Sequence, residues 1–229
     1  GVTAENINVV NKCLTLADGD QLYFDKLVLA TGAIPRSLST SKSIKNVFVL
    51  RQPNDAIAIR NVSRRAKKAI IIGGGYIGLE VAATLRQMNL KVCVVEAADR
   101  LLARVASPPV SDLLTTLHSA NGIALYTSTG VKQIAETRDH LPTVTLTDGT
   151  ILKGDMLIIG IGVTPDSDLA YKAGLETEHP NGGAILVDKS MRTSNPDIIA
   201  IGDVALKRGN SIRIESVLNA QDTAARAAA

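Results

Sequence analysis

Apolar residues in this chain cluster in short runs separated by polar, glycine-rich turns, and that punctuation sets the expected elements. Residues 26–30 (KLVLA) and 69–72 (AIII) are apolar at nearly every position, the pattern of strands buried on both faces of a parallel sheet. Residues 13–16 and 22–24 flank Asp18-Gly19-Asp20 and predict a hairpin. A short strand is expected at 47–50, ending in Arg51, and Pro53-Asn54-Asp55 opens a helix running to about Ala66. After Ile72 comes a turn from Gly73 to Gly78, a helix over 77–88 and a strand over 92–95, which together make a βαβ unit. Pro108-Pro109 is expected to break the chain before a helix capped by Ser111 and running to about Ala120. Strands follow near 124–126, 144–147 and 156–159, with a hairpin turn at Asp148-Gly149. From about Pro165 the style of the first 30 residues returns, with strands at 184–187 and 198–201, then Gly202-Asp203 and a final helix.

The sharpest local signal is Gly73-Gly74-Gly75-Tyr76-Ile77-Gly78, because its context is complete. It follows an apolar strand, opens a helix, and is trailed by Glu96 at the end of the next strand, 18 residues after Gly78. In such a motif the first glycine permits the tight turn, Gly75 lets backbone approach a pyrophosphate, and Gly78 allows close helix–strand packing. The helix N-terminus offers free N–H groups to phosphates, and Glu96 can accept bonds from ribose hydroxyls. Glu80, placed on the first turn of that helix, reads two ways: an acid favoured by the helix dipole, or a carboxylate reaching the carboxamide of a nicotinamide. In the segment 193–204, an apolar strand ends in Gly202-Asp203, putting an acid where a helix N-terminus would begin.

The order of elements gives an α/β fold: a Rossmann-like domain with a parallel sheet plus antiparallel meander over 41–164, inserted into a second domain of related fold built from 1–40 and 165–229. A weak internal repeat agrees with two related nucleotide-binding domains. Leu16-Ala17-Asp18-Gly19 and Leu146-Thr147-Asp148-Gly149 each precede a strand ending in a glycine motif, Ala30-Thr31-Gly32 and Gly160-Ile161-Gly162 respectively.

Composition narrows the function classes. A net charge of +3 with dispersed basic residues does not suggest nucleic acid, and 3% aromatic residues without Trp argues against a base-stacking platform. The run Arg64, Arg65, Lys67, Lys68 reads as the solvated end of a helix. Cys13 and Cys93, 80 residues apart in expected strands, read as buried structural thiols without a CxxC motif. His118, His140 and His179 show no metal-ligand spacing. No apolar run reaches the length of a membrane span and no signal peptide is visible, so a soluble, cytoplasmic protein is expected.

Taken together, LVLATG at 27–32, GGGYIGLEVAA at 73–83, GIGVTP at 160–165, AIGDV at 200–204 and RIESVLNA at 213–220 resemble the FAD-dependent pyridine nucleotide reductases. The stretch RVASPPVS at 104–111 and the RIES segment are similar to the ferredoxin reductases of aromatic-ring oxygenase systems rather than to the disulfide reductases. The resemblance implies an enzyme with FAD and NAD as cofactors that passes electrons from NADH to a small iron–sulfur ferredoxin or rubredoxin, with no catalytic side chain and no metal ligand. It makes 41–164 the NAD-binding domain and the two flanks part of an FAD-binding domain. For NAD it points to Gly73, Gly74, Gly75, Tyr76, Ile77, Gly78, Glu80, Glu96, Gly160, Ile161 and Gly162. For FAD it points to the backbone at Val2, to Thr31 and Gly32, to Arg51 near the phosphates, Asp203 on the ribityl chain and Val217 beside the flavin ring.

The same motifs serve rubredoxin reductases, NADH oxidases, nitrite reductase flavoprotein domains and flavoproteins of the apoptosis-inducing type. A nucleotide-binding module without turnover is a further alternative. Such reductases carry an N-terminal strand–GxGxxG–helix and a C-terminal domain over the flavin, neither of which this sequence shows. Both ends therefore read as cut from a longer protein, and the isolated piece is expected to hold FAD poorly.

Overall fold

The structure, a computed structural model, describes residues 1–38, 44–179 and 182–228. The expected boundary between residues 40 and 41 lies outside them. Two compact units are formed, one from Gly1–Ile34 with Val163–Ala229 and the other from Pro35–Gly162.

The chain begins with β1 (Ala4–Asn8), β2 (Cys13–Leu16) and β3 (Gln21–Tyr23), an antiparallel three-stranded sheet. The expected hairpin is β2–β3, and the strand-like sequence at the start of the chain forms β1. Next come β4 (Leu27–Leu29) and β5 (Ala33–Pro35).

The second unit opens with β6 (Val47–Phe48), α1 (Pro53–Ser63), β7 (Lys68–Ile72), α2 (Tyr76–Gln87), β8 (Lys91–Val95), α3 (Pro108–Ala120) and β9 (Ala124–Tyr126). The meander β10 (Val131–Glu136), β11 (Pro142–Leu146) and β12 (Ile151–Lys153) precedes β13 (Met156–Ile159). Strands β6, β13, β7, β8 and β9 form, in that order, an all-parallel sheet. Its two faces bury alternate residues, as strand periodicity requires. Ala69, Ile71, Met156 and Ile158 face a core shared with Val81, Ala82 and Leu85 of α2. Ile70, Ile72, Leu157 and Ile159 face Ile134, Val144, Leu146 and Leu152 of the meander. The unit is thus three layers: helix, parallel sheet, meander.

Helix α3 starts earlier than expected. Its N-cap is Ser107, with Pro108 inside the helix, so Pro108-Pro109 begins the helix rather than interrupting the chain. The missing amide hydrogens of proline cost nothing in the first turn, where no intrahelical partner exists. Ser111 is instead a fully buried first-turn residue.

Returning to the first unit, the chain forms β14 (Val163–Pro165), α4 (Asp168–Lys172), β15 (Thr177–His179), β16 (Gly182–Val187), β17 (Ile198–Ala200), a one-turn 3-10 helix (Gly202–Val204), β18 (Ala205–Lys207) and α5 (Val217–Ala228). Strand β17 lies parallel to β4, β16 lies between β15 and β18, and β14 pairs with β5. The core here gathers Ile7, Leu29, Ile185, Val187, Met191, Ile198 and Val204. Asp203 was expected at the start of a helix; it lies in the single 3-10 turn, after which the chain passes directly into β18.

The internal repeat holds at the level of individual bonds. In one turn Leu16 N–H donates to Asp20 O (2.9 Å), Gly19 N–H to Leu16 O (3.0 Å) and Asp20 N–H to Asp18 Oδ1 (3.2 Å). In the other, Leu146 N–H donates to Thr150 O (2.8 Å), Gly149 N–H to Leu146 O (3.1 Å) and Thr150 N–H to Asp148 Oδ1 (2.8 Å). Each is the turn of a sequential three-stranded antiparallel sheet whose first strand has an irregular register.

Candidate functional site

Strand order places a switch point in the parallel sheet: from β7 the chain winds outward through β8 and β9, then returns to the other side of β7 as β13. Ligands in open α/β sheets bind outside the carboxyl ends of the strands at such a point. Here those ends carry Gly73 after β7 and Gly160 after β13. They touch: Gly160 N–H donates to Ile72 O (2.7 Å), and a Cβ on Gly73 would stand 2.2 Å from Gly160 O. Gly73 also has φ +109°, so its identity is dictated twice. A Cβ on Gly78 would lie 2.0 Å from Gly73 O, which allows no side chain there. At Gly75 a Cβ would meet nothing within 4 Å; this glycine is not required by packing and leaves open space in front of the α2 N-terminus. Gly75 is the N-cap of α2, no side chain caps that end, and no acid stands in the first turn. Tyr76 and Ile77, the first two helical residues, are exposed. Uncapped amides, an uncompensated dipole end and vacant space fit a pyrophosphate.

Glu96 follows β8 and closes the turn from the side. Its carboxylate accepts a bond from Gly74 N–H (2.6 Å) and another from Ala98 N–H (2.8 Å), so both oxygens are oriented by backbone. Gly74 is itself wedged: a Cβ there would approach Leu101 Cδ2 to 2.8 Å and Glu96 Cβ to 3.1 Å. Arg100, the nearest cation after Glu96 in sequence, donates to Ala103 O, Ala106 O and Ser111 Oγ, each at 2.8 Å.

Glu80 is the fifth residue of α2, on its second turn, so the first-turn dipole reading does not hold. Its side chain is exposed and makes no hydrogen bond or ion pair among the described residues. Ile161 packs under the sheet, and Gly162 has φ +97°. Beside Gly162, 3.4 Å from the position of a Cβ, stands Nη2 of Arg104, an exposed cation eight residues after Glu96. Sequence reasoning assigned Arg104 no role; only the folded loop brings it to the glycine motif.

In the other unit the carboxyl ends of β4 and β17 lie side by side, with Ile201 N–H donating to Leu29 O (3.0 Å). Thr31 and Gly32 follow β4, and Gly202 and Asp203 follow β17. Thr31 Oγ1 donates to Asp166 O (2.5 Å), and both residues border an open cavity of about 600 Å³. Gly202 N–H is held by the buried Thr223 Oγ1 (3.0 Å), while Arg213 donates to Asp203 O (2.5 Å). Val2 and Val217 are exposed, the former ahead of β1 and the latter opening α5. Arg51 belongs to the Pro35–Gly162 unit, where Asp55 Oδ2 accepts from its N–H (2.9 Å) and from Gln52 N–H (2.8 Å) in a capping box. Thus Thr31, Gly32 and Asp203 share one sheet end.

This doubled arrangement can be compared with known proteins. The family model described as pyridine nucleotide-disulphide oxidoreductase matches residues 1–224. The chain belongs to that family. Among its relatives, a 5,5'-dehydrodivanillate O-demethylase ferredoxin reductase subunit from a Sphingobium species is 39% identical, with 92% of this chain and 52% of the relative covered. Putidaredoxin reductase of Pseudomonas putida is 38% identical over 100% of this chain and 56% of its own length. The chain therefore spans about half the length of these relatives. A crystal structure of a covalent putidaredoxin reductase–putidaredoxin complex superposes with a TM-score of 0.92 at 37% identity, covering 98% of this chain and 55% of the other. Family membership does not make the cysteines here a redox pair: Cys13 and Cys93 are free and lie in different units. Burial pushes the half-buried Cys93 thiol up to about 11, which keeps it protonated and unreactive.

Proposed function

We propose that this chain is the NAD-binding domain and part of the FAD-binding domain of a flavin-dependent NADH:redoxin reductase. The observation that carries the reading is the glycine turn at the switch point, closed by Gly160 on one side and Glu96 on the other, with vacant space at Gly75.

In this reading the turn from Gly73 to Gly78 receives the pyrophosphate of NAD: the amides of Gly75, Tyr76, Ile77 and Gly78 face it, aided by the dipole of α2, while Gly73 and Gly74, whose N–H groups donate to Val95 O and Glu96, shape the turn. Glu96 accepts from the adenosine ribose hydroxyls, Arg104 adds positive charge beside the turn, and the Gly160-Ile161-Gly162 backbone borders the nicotinamide half. Glu80, exposed and without a protein partner for its carboxylate among the described residues, accepts from the carboxamide. For FAD, the Val2 backbone, Thr31 and Gly32 serve the nucleotide, Asp203 the ribityl chain and Val217 the ring. A flavin held by these residues would supply the redox chemistry that links a hydride donor to a one-electron acceptor. The residues of this chain bind and orient, and no side-chain nucleophile is needed.

The relatives' names, with ferredoxin, putidaredoxin and rubredoxin as partners, support a small iron–sulfur protein as acceptor. Two free thiols support a reducing, cytoplasmic setting, and no helix among the described residues is long and apolar enough to cross a membrane. The test is NADH-driven reduction of small iron–sulfur proteins by the intact, flavin-loaded protein. Transfer to at least one redoxin is expected; nucleotide binding with no electron transfer would reduce the proposal to a binding module.

A further inference from the structure

The loop between Glu96 and α3 is more firmly built than a connection requires. Arg100 is half-buried without a carboxylate partner among the described residues, and its guanidinium gathers Ala103 O, Ala106 O and Ser111 Oγ. Ser111 Oγ, fully buried, donates onward to Leu101 O (2.6 Å). This sets a cation beside the first turn of α3, a helix end that disfavours positive charge and has no acid in its first turn to offset it. The next residues are also unusual. Leu102 is buried and left-handed (φ +52°), a conformation that costs a branched side chain stability. It is kept there by its N–H bond to Gly74 O (3.0 Å) and by Val105 and Ala106, whose N–H groups both donate to Leu102 O (2.9 Å). Leu101 packs against Gly74 from the same side.

Of these residues, Leu101 and Leu102 meet the glycine turn. Gly74 is gripped at its N–H by Glu96, at its carbonyl by Leu102 and on its Cα face by Leu101. Two of the three grips come from residues adjoining Arg100 in the loop it ties.

We infer that Arg100 is a positioning residue for the adenosine half of the dinucleotide, holding the loop from Glu96 to Ser107 so that Gly74 and Glu96 keep the spacing that receives it. The inference rests on the nucleotide reading of this site. Three of the five guanidinium donors are already satisfied by the loop, so Arg100 acts through Gly74 and Glu96 and does not itself reach the ligand. Lysine cannot replace it, because one ammonium cannot span three acceptors in a plane.

The test is calorimetric titration of the intact protein with NAD+ and, separately, with 5'-AMP, for wild type, Arg100→Met and Arg100→Lys, with thermal melting and bound flavin recorded for each. Expected for Arg100→Met is a loss of about tenfold or more for both ligands, by a similar factor, as when charge-assisted bonds are removed. Flavin content should be unchanged, and Arg100→Lys should lose affinity in the same direction at unaltered charge. Should Arg100→Met not fold, Arg100→Lys alone carries the comparison. A lower melting temperature with both affinities within about twofold of wild type, a difference under 0.5 kcal/mol by the usual conversion, would make Arg100 merely structural and overturn the inference. Loss confined to NAD+, with 5'-AMP unaffected, would overturn it too. A wild-type protein that binds neither ligand would instead refute the nucleotide reading.

Discussion

Replacing Glu96 should erase a strong preference for NAD(H) over NADP(H). The Glu96 carboxylate is fixed by Gly74 N–H at 2.6 Å and Ala98 N–H at 2.8 Å, so it cannot swing away from a ligand at the turn without abandoning two bonds. A 2'-phosphate in place of the ribose hydroxyl would set like charges about 4 Å apart, which costs about 4 kcal/mol at an effective dielectric near 20. Glu96 is half-buried, so solvent screening reduces that to roughly 2–3 kcal/mol, or about 30- to 150-fold in affinity. The residues directly after Glu96 offer the phosphate no cation: Ala97, Ala98 and Asp99 follow, Arg100 is bound to Ala103 O, Ala106 O and Ser111 Oγ, and Arg104 stands at Gly162. In Glu96→Gln the repulsion disappears and side-chain size is kept, at the loss of one of the two bonds from Gly74 N–H and Ala98 N–H, because the amide nitrogen cannot accept. NADP(H) should then bind more tightly than to wild type, NAD(H) should weaken about tenfold from the lost charge-assisted ribose bond, and the ratio should approach one. Dissociation constants for both nucleotides, measured by calorimetry on wild type and variant, decide it. Equal affinities in wild type, or an unchanged ratio in Glu96→Gln, would show that Glu96 serves the fold of the turn and not the ribose.

Glu80→Ala should leave the melting temperature unchanged, since the side chain is exposed and without bonds among the described residues, yet slow flavin reduction or weaken NADH by about tenfold or more; stopped-flow rates equal to wild type would remove it from the site. Gly75→Ala and Gly78→Ala should separate binding from stability: the first has room for its methyl and should lose nucleotide affinity in an intact fold, whereas the second drives a Cβ to 2.0 Å from Gly73 O and should lower the melting temperature, as paired titrations and melts will show. His118 is buried with Nδ1 unpartnered among the described residues, and burial holds its pKa below the ordinary 6.5. The unfolded chain therefore binds this proton more readily, so stability is full above about pH 6.5 and declines as the pH falls from there towards the folded value. Denaturant midpoints measured at pH 5 and pH 8 should differ less in His118→Leu than in wild type; an equal difference would refute the assignment.

What could be read from the sequence was what local pattern determines. Strands β7 and β13 are apolar runs whose burial on both faces follows from composition alone, and the two Asp-Gly turns carry their bonding within five residues each. The glycine motif was legible because steric need leaves only glycine at Gly73 and Gly78. What was missed depends on partners distant in the chain. The start of α3 was shifted because proline reads as a breaker unless the first turn is recognised as the place that tolerates it. The contacts of Arg100, Leu102 and Arg104 were invisible because they arise from a loop folding back beside the glycine turn, which no periodicity announces.

The most direct measurement is anaerobic mixing of the intact, flavin-loaded protein with NADH and with NADPH, following the visible absorption of the flavin. NADH should bleach the flavin rapidly, NADPH markedly more slowly at equal concentration, and Glu96→Gln should lose the NADH advantage. A flavin that stays oxidised in NADH, or is reduced equally fast by both nucleotides, would contradict the proposed function.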